Sequence, residues 1–394
     1  MTISNYIGVG DLHLTEEDKQ MVMEVLNNNR LSYGPMCKKF EKEFAKFHDS
    51  KFAIFTNSGT SSLQIAVSAL KEKYGWENGD EVIVPAITFI ATSNVVILNN
   101  LKPIFVDVDE KTFNIDPNKI EDAITNKTKA LIVVHLLGLP ADMEPIMNIA
   151  KKYNLKVIED SAETMFAKYR GKTVGSFGDI GCFSTYIAHY IVTGVGGLNT
   201  TSNQDLAISI RSLMNHGRDS IYINIDDDAT EDNEKLKEII SKRFSFVRLG
   251  YSYRPTEMEG ALGVSQLKRK DLIIERRKFV ANEYIKGLKD LDDYIQFQYT
   301  PPDRDNVYML FGMVCKDNSK IELINFLEQS NIETRDLLPL LNQPIYKKIF
   351  GDIEKNYPVA KHINESGFYI GCHQYVTNED IGYVIKKFHE FYKK

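Results

Sequence analysis

Apolar residues recur along the chain with two different periods, and the switches between them mark the elements. Residues 15–30 open with Thr15 and a run of acids, then place Met21, Val22, Val25 and Leu26 at helical spacing, which predicts an amphipathic helix. Ser32, Tyr33 and Gly34 interrupt it, and Phe40, Phe44 and Phe47 carry a second helix over 36–48. Residues 52–55 read as a strand, 56–62 as a small polar turn and 63–70 as a helix. The alternation continues: strands are expected at 81–85, 103–108, 130–137 and 156–160, with helices at 96–98, 120–124 and 147–153.

Each of these strands is a nearly continuous apolar run, which indicates a parallel sheet covered by helices on both faces. Ligands of such sheets collect at the carboxyl ends of the strands. Residues 223–242 are rich in Asp, Glu, Asn and Lys and read as an exposed insertion leading into a surface helix. A long helical pattern over 262–288 follows, then strands at 308–314 and 332–335 and helices at 321–329 and 378–392. The expected division is a large domain over 1–260 with an N-terminal helical segment, and a linking helix with a small α/β domain over 261–394.

Composition narrows the function classes. The chain has 394 residues, enough for two domains, with 43% hydrophobic and 26% charged residues. No stretch approaches the ~18 consecutive apolar residues of a membrane span. Residues 1–7 lack a basic segment followed by an apolar one, so a cytoplasmic protein is expected. A net charge of -6 argues against nucleic acid as the partner. Cys37, Cys182, Cys315 and Cys372 are scattered without a Cys-x-x-Cys pair, so neither a zinc nor an iron-sulfur site is expected and the thiols read as buried.

Three features fall where the sheet would present a ligand. The turn holding Ser58, Gly59, Thr60 and Ser61 joins a strand to a helix, the geometry that holds an anion, although an ordinary capped helix explains it as well. Asp160 ends an apolar run and Glu163 follows it; taken alone, Asp160 could simply cap the next helix. Residues 182–197 then combine Ser184, a single His189 and the glycine-dense turn Gly194-Val-Gly-Gly197. His13, His48, His362 and His389 stand in polar or helical surface contexts and read as structural, and His135 as a packed residue near a strand end.

Taken in order, these motifs resemble the DegT/DnrJ/StrS sugar aminotransferases, which are fold-type I pyridoxal phosphate enzymes. The resemblance runs from Leu31-Ser-Tyr-Gly-Pro35 to Gly371-Cys-His-Gln374. It implies an α/β fold with a large, mostly parallel sheet domain and a smaller C-terminal one. It implies that Asp160 pairs with the pyridinium nitrogen, that Phe89 stacks on the ring and that Glu163 lies near the ring hydroxyl. Ser58, Gly59, Thr60 and Ser61 with Ser184 match the phosphate cradle. Gly250-Tyr-Ser-Tyr-Arg254 matches a loop that crosses a dimer interface, which implies a homodimer with shared sites. In it Ser252 stands where many relatives contact phosphate through Asn. Arg254, His216 and His373 are placed near the substrate.

The central departure is His189. The aminotransferases carry here the lysine that links covalently to the cofactor, and an imidazole has no primary amine to do so. A smaller branch of the family has histidine at this position and removes the C3 hydroxyl of 4-keto-6-deoxy nucleotide sugars, using pyridoxal and pyridoxamine phosphate. Histidine suits that task, since its ordinary pKa of ~6.5 lets it accept and return protons near neutrality. The resemblance implies glutamate as amine donor. Val195 departs from the wider pattern too, where a Glu precedes the glycine pair. Two alternatives stay open: an aminotransferase with another group in place of the lysine, and a catalytically silent cofactor or sugar binder.

Overall fold

In the computed structural model, which describes residues 6–219, 233–242 and 244–393, the apolar runs form the centre of a seven-stranded sheet. Its strands are β1 (Phe52–Thr56), β2 (Glu81–Pro85), β3 (Lys102–Val106), β4 (Thr128–Val134), β5 (Lys156–Asp160), β8 (Ile180–Ser184) and β9 (Gly197–Thr201). A two-residue hairpin, β6 (Lys168–Tyr169) and β7 (Lys172–Thr173), interrupts the series. The order is β1-β9-β8-β5-β4-β2-β3, parallel from β8 to β3, with β9 antiparallel to both its neighbours.

Both faces of this sheet are buried. Along β4, Ala130, Ile132 and Val134 enter one core while Leu131 and Val133 enter another, which is why the run is apolar without alternation. A second, antiparallel sheet contains β10 (Ile295–Phe297), β11 (Leu310–Cys315), β12 (Thr334–Asp336) and β13 (Gly367–Gly371) in the order β10-β11-β13-β12. Phe311 and Met313 of β11 pack with Val280 and Tyr284 of the helix Lys270–Gly287 and with Val384 and Phe388 of the helix Asn378–Tyr392. Among the described residues no helix is long and apolar enough to cross a membrane.

Several elements depart from the expected bounds for local reasons. Residues 120–124 do not form an α-helix: two 3-10 turns, Pro117–Lys119 and Glu121–Ala123, occupy the span, and Ile124 is already extended. The pattern over 262–288 is two helices, because Thr256 and Glu259 form a capping box that starts Glu257–Leu267 earlier, and Arg269 leaves helical geometry before Lys270–Gly287. The strand expected from residue 308 starts at Leu310, since Tyr308 has a φ of 46°. Likewise β4 stops at Val134 and gives way to a tight turn in which Leu137 has a φ of 59°. Of the acidic insertion, residues 223–232 lie outside the described residues, as do residues 1–5 of the stretch read for a leader. Asn233–Lys242 is a helix.

All four cysteines are buried. His48 corrects the surface reading: it is fully buried, stacked on Phe44 with its Nδ1 3.0 Å from the Phe44 carbonyl, and burial pushes its imidazole down to about 3. The aromatic cluster closing over this helix end draws it in. The helix Pro35–Phe47 starts without a side-chain cap of its own, and the Glu257 carboxylate instead accepts hydrogen bonds from the amides of Gly34, Met36 and Cys37.

Candidate active site

A cavity of about 420 Å³ opens at the carboxyl ends of β1, β4, β5 and β8 and is closed from the other side by Met309, Leu310 and Tyr369 of the smaller sheet's side. At its phosphate-sized end the helix Gly59–Tyr74 begins. Ser58 is extended, with φ -168° and ψ 159°, and its hydroxyl accepts from the Ser61 amide at 3.0 Å. Ser62 bonds back to the Ser58 carbonyl, so the amides of Gly59 and Thr60 are the first-turn donors left without an intrahelical acceptor. Gly59 is required by proximity: a Cβ there would stand 2.7 Å from Cβ of Ser184. Behind it β9 presses in just as closely, since a Cβ on Gly197 would lie 2.3 Å from the Ser58 carbonyl oxygen.

Asp160 closes the floor. Thr92 donates to its Oδ2 at 2.7 Å and the Ala162 amide to its Oδ1 at 3.2 Å. Thr88 lies 2.7 Å from Thr92, extending the chain of hydroxyls. Burial raises the Asp160 carboxyl above its ordinary value, against the lowering effect of the Thr92 and Ala162 bonds. Phe89 sits just before the helix Ile90–Leu98 and is 59% exposed, an apolar plane on the cavity wall. Glu163 accepts from the Leu137 amide at 2.9 Å, and burial, followed by the nearby Asp160 charge, holds its carboxyl up at about 7. Near neutrality it can therefore donate or accept a hydrogen bond.

The residues after β8 fold into a pinned loop. Tyr186 and Gly194 form a bridge, Thr185 and Thr193 hydroxyls meet at 2.6 Å, and Gly194 has a φ of 93° that only glycine adopts readily. His189 is half-buried on the cavity wall, with Nδ1 3.1 Å from the Tyr186 carbonyl. A carbonyl only accepts, so Nδ1 carries the proton and Nε2 keeps its lone pair. Burial pushes the imidazole down to about 4, and the Arg277 guanidinium adds to that, so the ring is a neutral base at pH 7. Among the described residues, none that lines the cavity is a lysine.

The structure thus brings together Ser58, Gly59, Thr60 and Ser184 at one end, and Phe89, Asp160, Glu163 and His189 around the rest. Ser61 is turned to the Ser58 hydroxyl at 2.9 Å and does not line the cavity. His216, Ser252 and Arg254 lie elsewhere, as an exposed cluster in which Arg254 donates to Nε2 of His216 at 3.2 Å and to Ser252 at 3.4 Å. His373 faces a different cavity and bonds to the Gly8 carbonyl at 3.2 Å. Sequence reasoning missed Thr92 and Tyr186. For Thr92 a signal existed, since it lies one helical turn beyond Thr88.

These donors fit a planar, phosphorylated ring. Free helix-start amides and hydroxyls suit a phosphate, a buried carboxylate suits a ring N–H, and Phe89 offers a stacking face. Residues 13–389 match the DegT/DnrJ/EryC1/StrS aminotransferase family. The chain belongs to this family.

Its relatives in the family include GDP-perosamine synthase of Escherichia coli O157:H7, 33% identical over 390 residues that cover 98% of this chain and 99% of the synthase. GDP-4-keto-6-deoxy-D-mannose 3-dehydratase of Yersinia pseudotuberculosis is 32% identical over 374 residues, 93% of this chain and 94% of the dehydratase. A solved structure of GDP-4-keto-6-deoxymannose 3-dehydratase with a trapped PLP-glutamate geminal diamine superposes with a TM-score of 0.87 at 28% identity, covering 97% of this chain and 100% of that one. The fold is that of the pyridoxal phosphate enzymes of this family, as the resemblance implied, and the cofactor is pyridoxal phosphate. Its substrates as a family are nucleotide-linked sugars.

Proposed function

We propose that this protein is a 3-dehydratase that removes the C3 hydroxyl of a nucleotide-linked 4-keto-6-deoxy sugar, with glutamate as amine donor. The observation that carries this reading is His189: its Nε2 stands on a cavity wall that holds no lysine among the described residues. The similarity to a 3-dehydratase along nearly the whole chain supports it, and the glutamate adduct in the solved 3-dehydratase supports the choice of donor.

Bound as pyridoxamine phosphate, the cofactor supplies a primary amine for the C4 ketone and an electron sink beside it. In this reading Ser58, Gly59, Thr60 and Ser184 hold the phosphate, with Ser61 keeping Ser58 in place. Phe89 covers the ring and Asp160 holds the proton on its nitrogen, kept in line by Thr92. Glu163 bonds to the ring hydroxyl. His189 takes up a proton at Nε2 and delivers it to the departing C3 hydroxyl, so one residue serves as base and acid. Overall the sugar loses its C3 oxygen while glutamate becomes 2-oxoglutarate and ammonia. The exposed His216, Ser252 and Arg254 cluster is proposed to complete the site of a second copy, where it meets phosphate and substrate.

The test is incubation with pyridoxal phosphate, glutamate and GDP-, CDP- and dTDP-linked 4-keto-6-deoxy sugars, reading ammonia, 2-oxoglutarate and the sugar by mass. A 3-deoxy sugar with ammonia released is the expected result. An aminosugar without ammonia would make the protein an aminotransferase, the activity named for its perosamine synthase relative. Cofactor binding with no turnover across the panel would leave a silent binder.

A further inference from the structure

Arg277 does not line the cavity, yet it touches the loop that carries the proposed base. It lies in the helix Lys270–Gly287, is 1% exposed, and stands 4.9 Å from the Tyr190 ring. Its Nη2 donates to the His189 carbonyl at 3.3 Å, its Nη1 to the Met309 carbonyl at 2.7 Å and its Nε to Gln374 Oε1 at 3.1 Å. All three acceptors are neutral. Burying a guanidinium without a carboxylate is costly, and what the site gains is a rigid planar fork joining three separate segments.

A second contact reaches the same loop from the other side. His373 donates through Nε2 to the Gly8 carbonyl and accepts the Tyr375 amide at Nδ1, 3.3 Å away, so neither ring nitrogen is left for a ligand. The backbone it holds packs tightly at both ends: a Cβ on Gly371 would lie 2.1 Å from the Gly8 carbonyl oxygen, and one on Gly10 would lie 3.0 Å from Cα of Ala188. The motif Gly371-Cys-His-Gln374 therefore grips the His189 loop twice, through Gln374 and Arg277 and through His373 and the 8–10 segment.

We infer that Arg277, Gln374 and His373 form a brace that positions His189, fixing the backbone from which the imidazole reaches the cavity. They are positioning residues. The inference rests on the reading of His189 as the proton-transfer group. The titratable groups around that imidazole are Arg277 behind it, Tyr186 on its own loop, Asp160 and Glu163 across the cavity and Tyr369 from β13.

Arg277→Gln and Gln374→Leu in the full chain test the brace. Gln374→Leu keeps the cation and its two carbonyl contacts, so it carries the test if Arg277→Gln does not fold. Both variants are expected to lower kcat by about 10- to 100-fold with KM within about threefold of the parent. In protein labelled with [13C]histidine, the His189 signal, assigned with His189→Asn, should shift in both. Its titration should rise in Arg277→Gln by the part the guanidinium charge contributes, burial still holding it below the ordinary value. An unmoved His189 signal and titration in both variants overturns the brace, as does an unchanged kcat in an active enzyme. If the parent turns over no sugar, the proposed function fails instead, and the signal alone still decides the brace.

Discussion

At the scale of single residues, the site divides into groups whose protonation is set by burial and groups set by hydrogen bonds. His189→Asn keeps the size and a hydrogen-bonding edge but removes the basic nitrogen. It should lower kcat by about 10²- to 10⁴-fold while cofactor absorbance is retained, and a variant with parental kcat would remove His189 from the chemistry. Glu163 gives a prediction with a definite sign. Its carboxyl is raised from 4.5 to about 7 in the folded chain, so it contributes nothing below pH 4.5, where both states are protonated. Between those values only the unfolded chain ionises, and stability falls as pH rises, by about 3 kcal/mol in full above pH 7. Glu163→Gln should therefore raise the melting temperature of the cofactor-free protein at pH 8, with a smaller gain at pH 5; a gain independent of pH would contradict the assignment. Asp160 was legible as the end of an apolar run with Glu163 just after it, and the weight on His189 came from the family resemblance. Arg277 was not, because the carbonyl it holds is 88 positions away and no local pattern links them.

At the scale of elements, the start of the helix Gly59–Tyr74 is capped by Ser58 and closely crowded by Ser184. Gly59→Ala would drive a methyl into Ser184, and overpacking of this kind costs about 1–3 kcal/mol. The expected readout is a lowered melting temperature with pyridoxal phosphate affinity weakened by about tenfold or more. Parental affinity in Gly59→Ala would show that the approach to Ser184 does not shape the phosphate end. The sheet itself was readable from continuous apolar runs. The direction of β9 was not, since residues 197–201 carry Asn and Thr rather than an apolar run, and the buried Asn199, Thr200 and Thr201 are satisfied by side-chain bonds to the carbonyls of Ser62, Gly175 and Asp179. Helix boundaries failed where capping decided them, as at Thr256, and at 117–123 the chain takes two 3-10 turns in place of the expected helix.

At the scale of the whole molecule, the exposed segment after the helix Asn233–Lys242 bears Phe244, Phe246, Val247 and Leu249, the last 97% exposed, next to the His216, Ser252 and Arg254 cluster. An apolar patch beside an exposed polar cluster fits the proposed homodimer. Sedimentation should give twice the chain mass, and Phe246→Asp with Leu249→Asp should give monomers that hold cofactor but lose turnover. A monomeric parent with full activity would exclude shared sites. The placement of β1 has a consequence for how the molecule is made. It is an edge strand whose one partner is β9, with Phe52 opposite Thr201 and Thr56 opposite Gly197. A nascent chain that has not yet released Thr201 from the ribosome therefore carries Ser58 to Ser61 just beyond a strand with nothing to pair with. Cofactor capture is then a late event of synthesis, and chains truncated before residue 197 should emerge unable to load it however well β2 to β5 have formed.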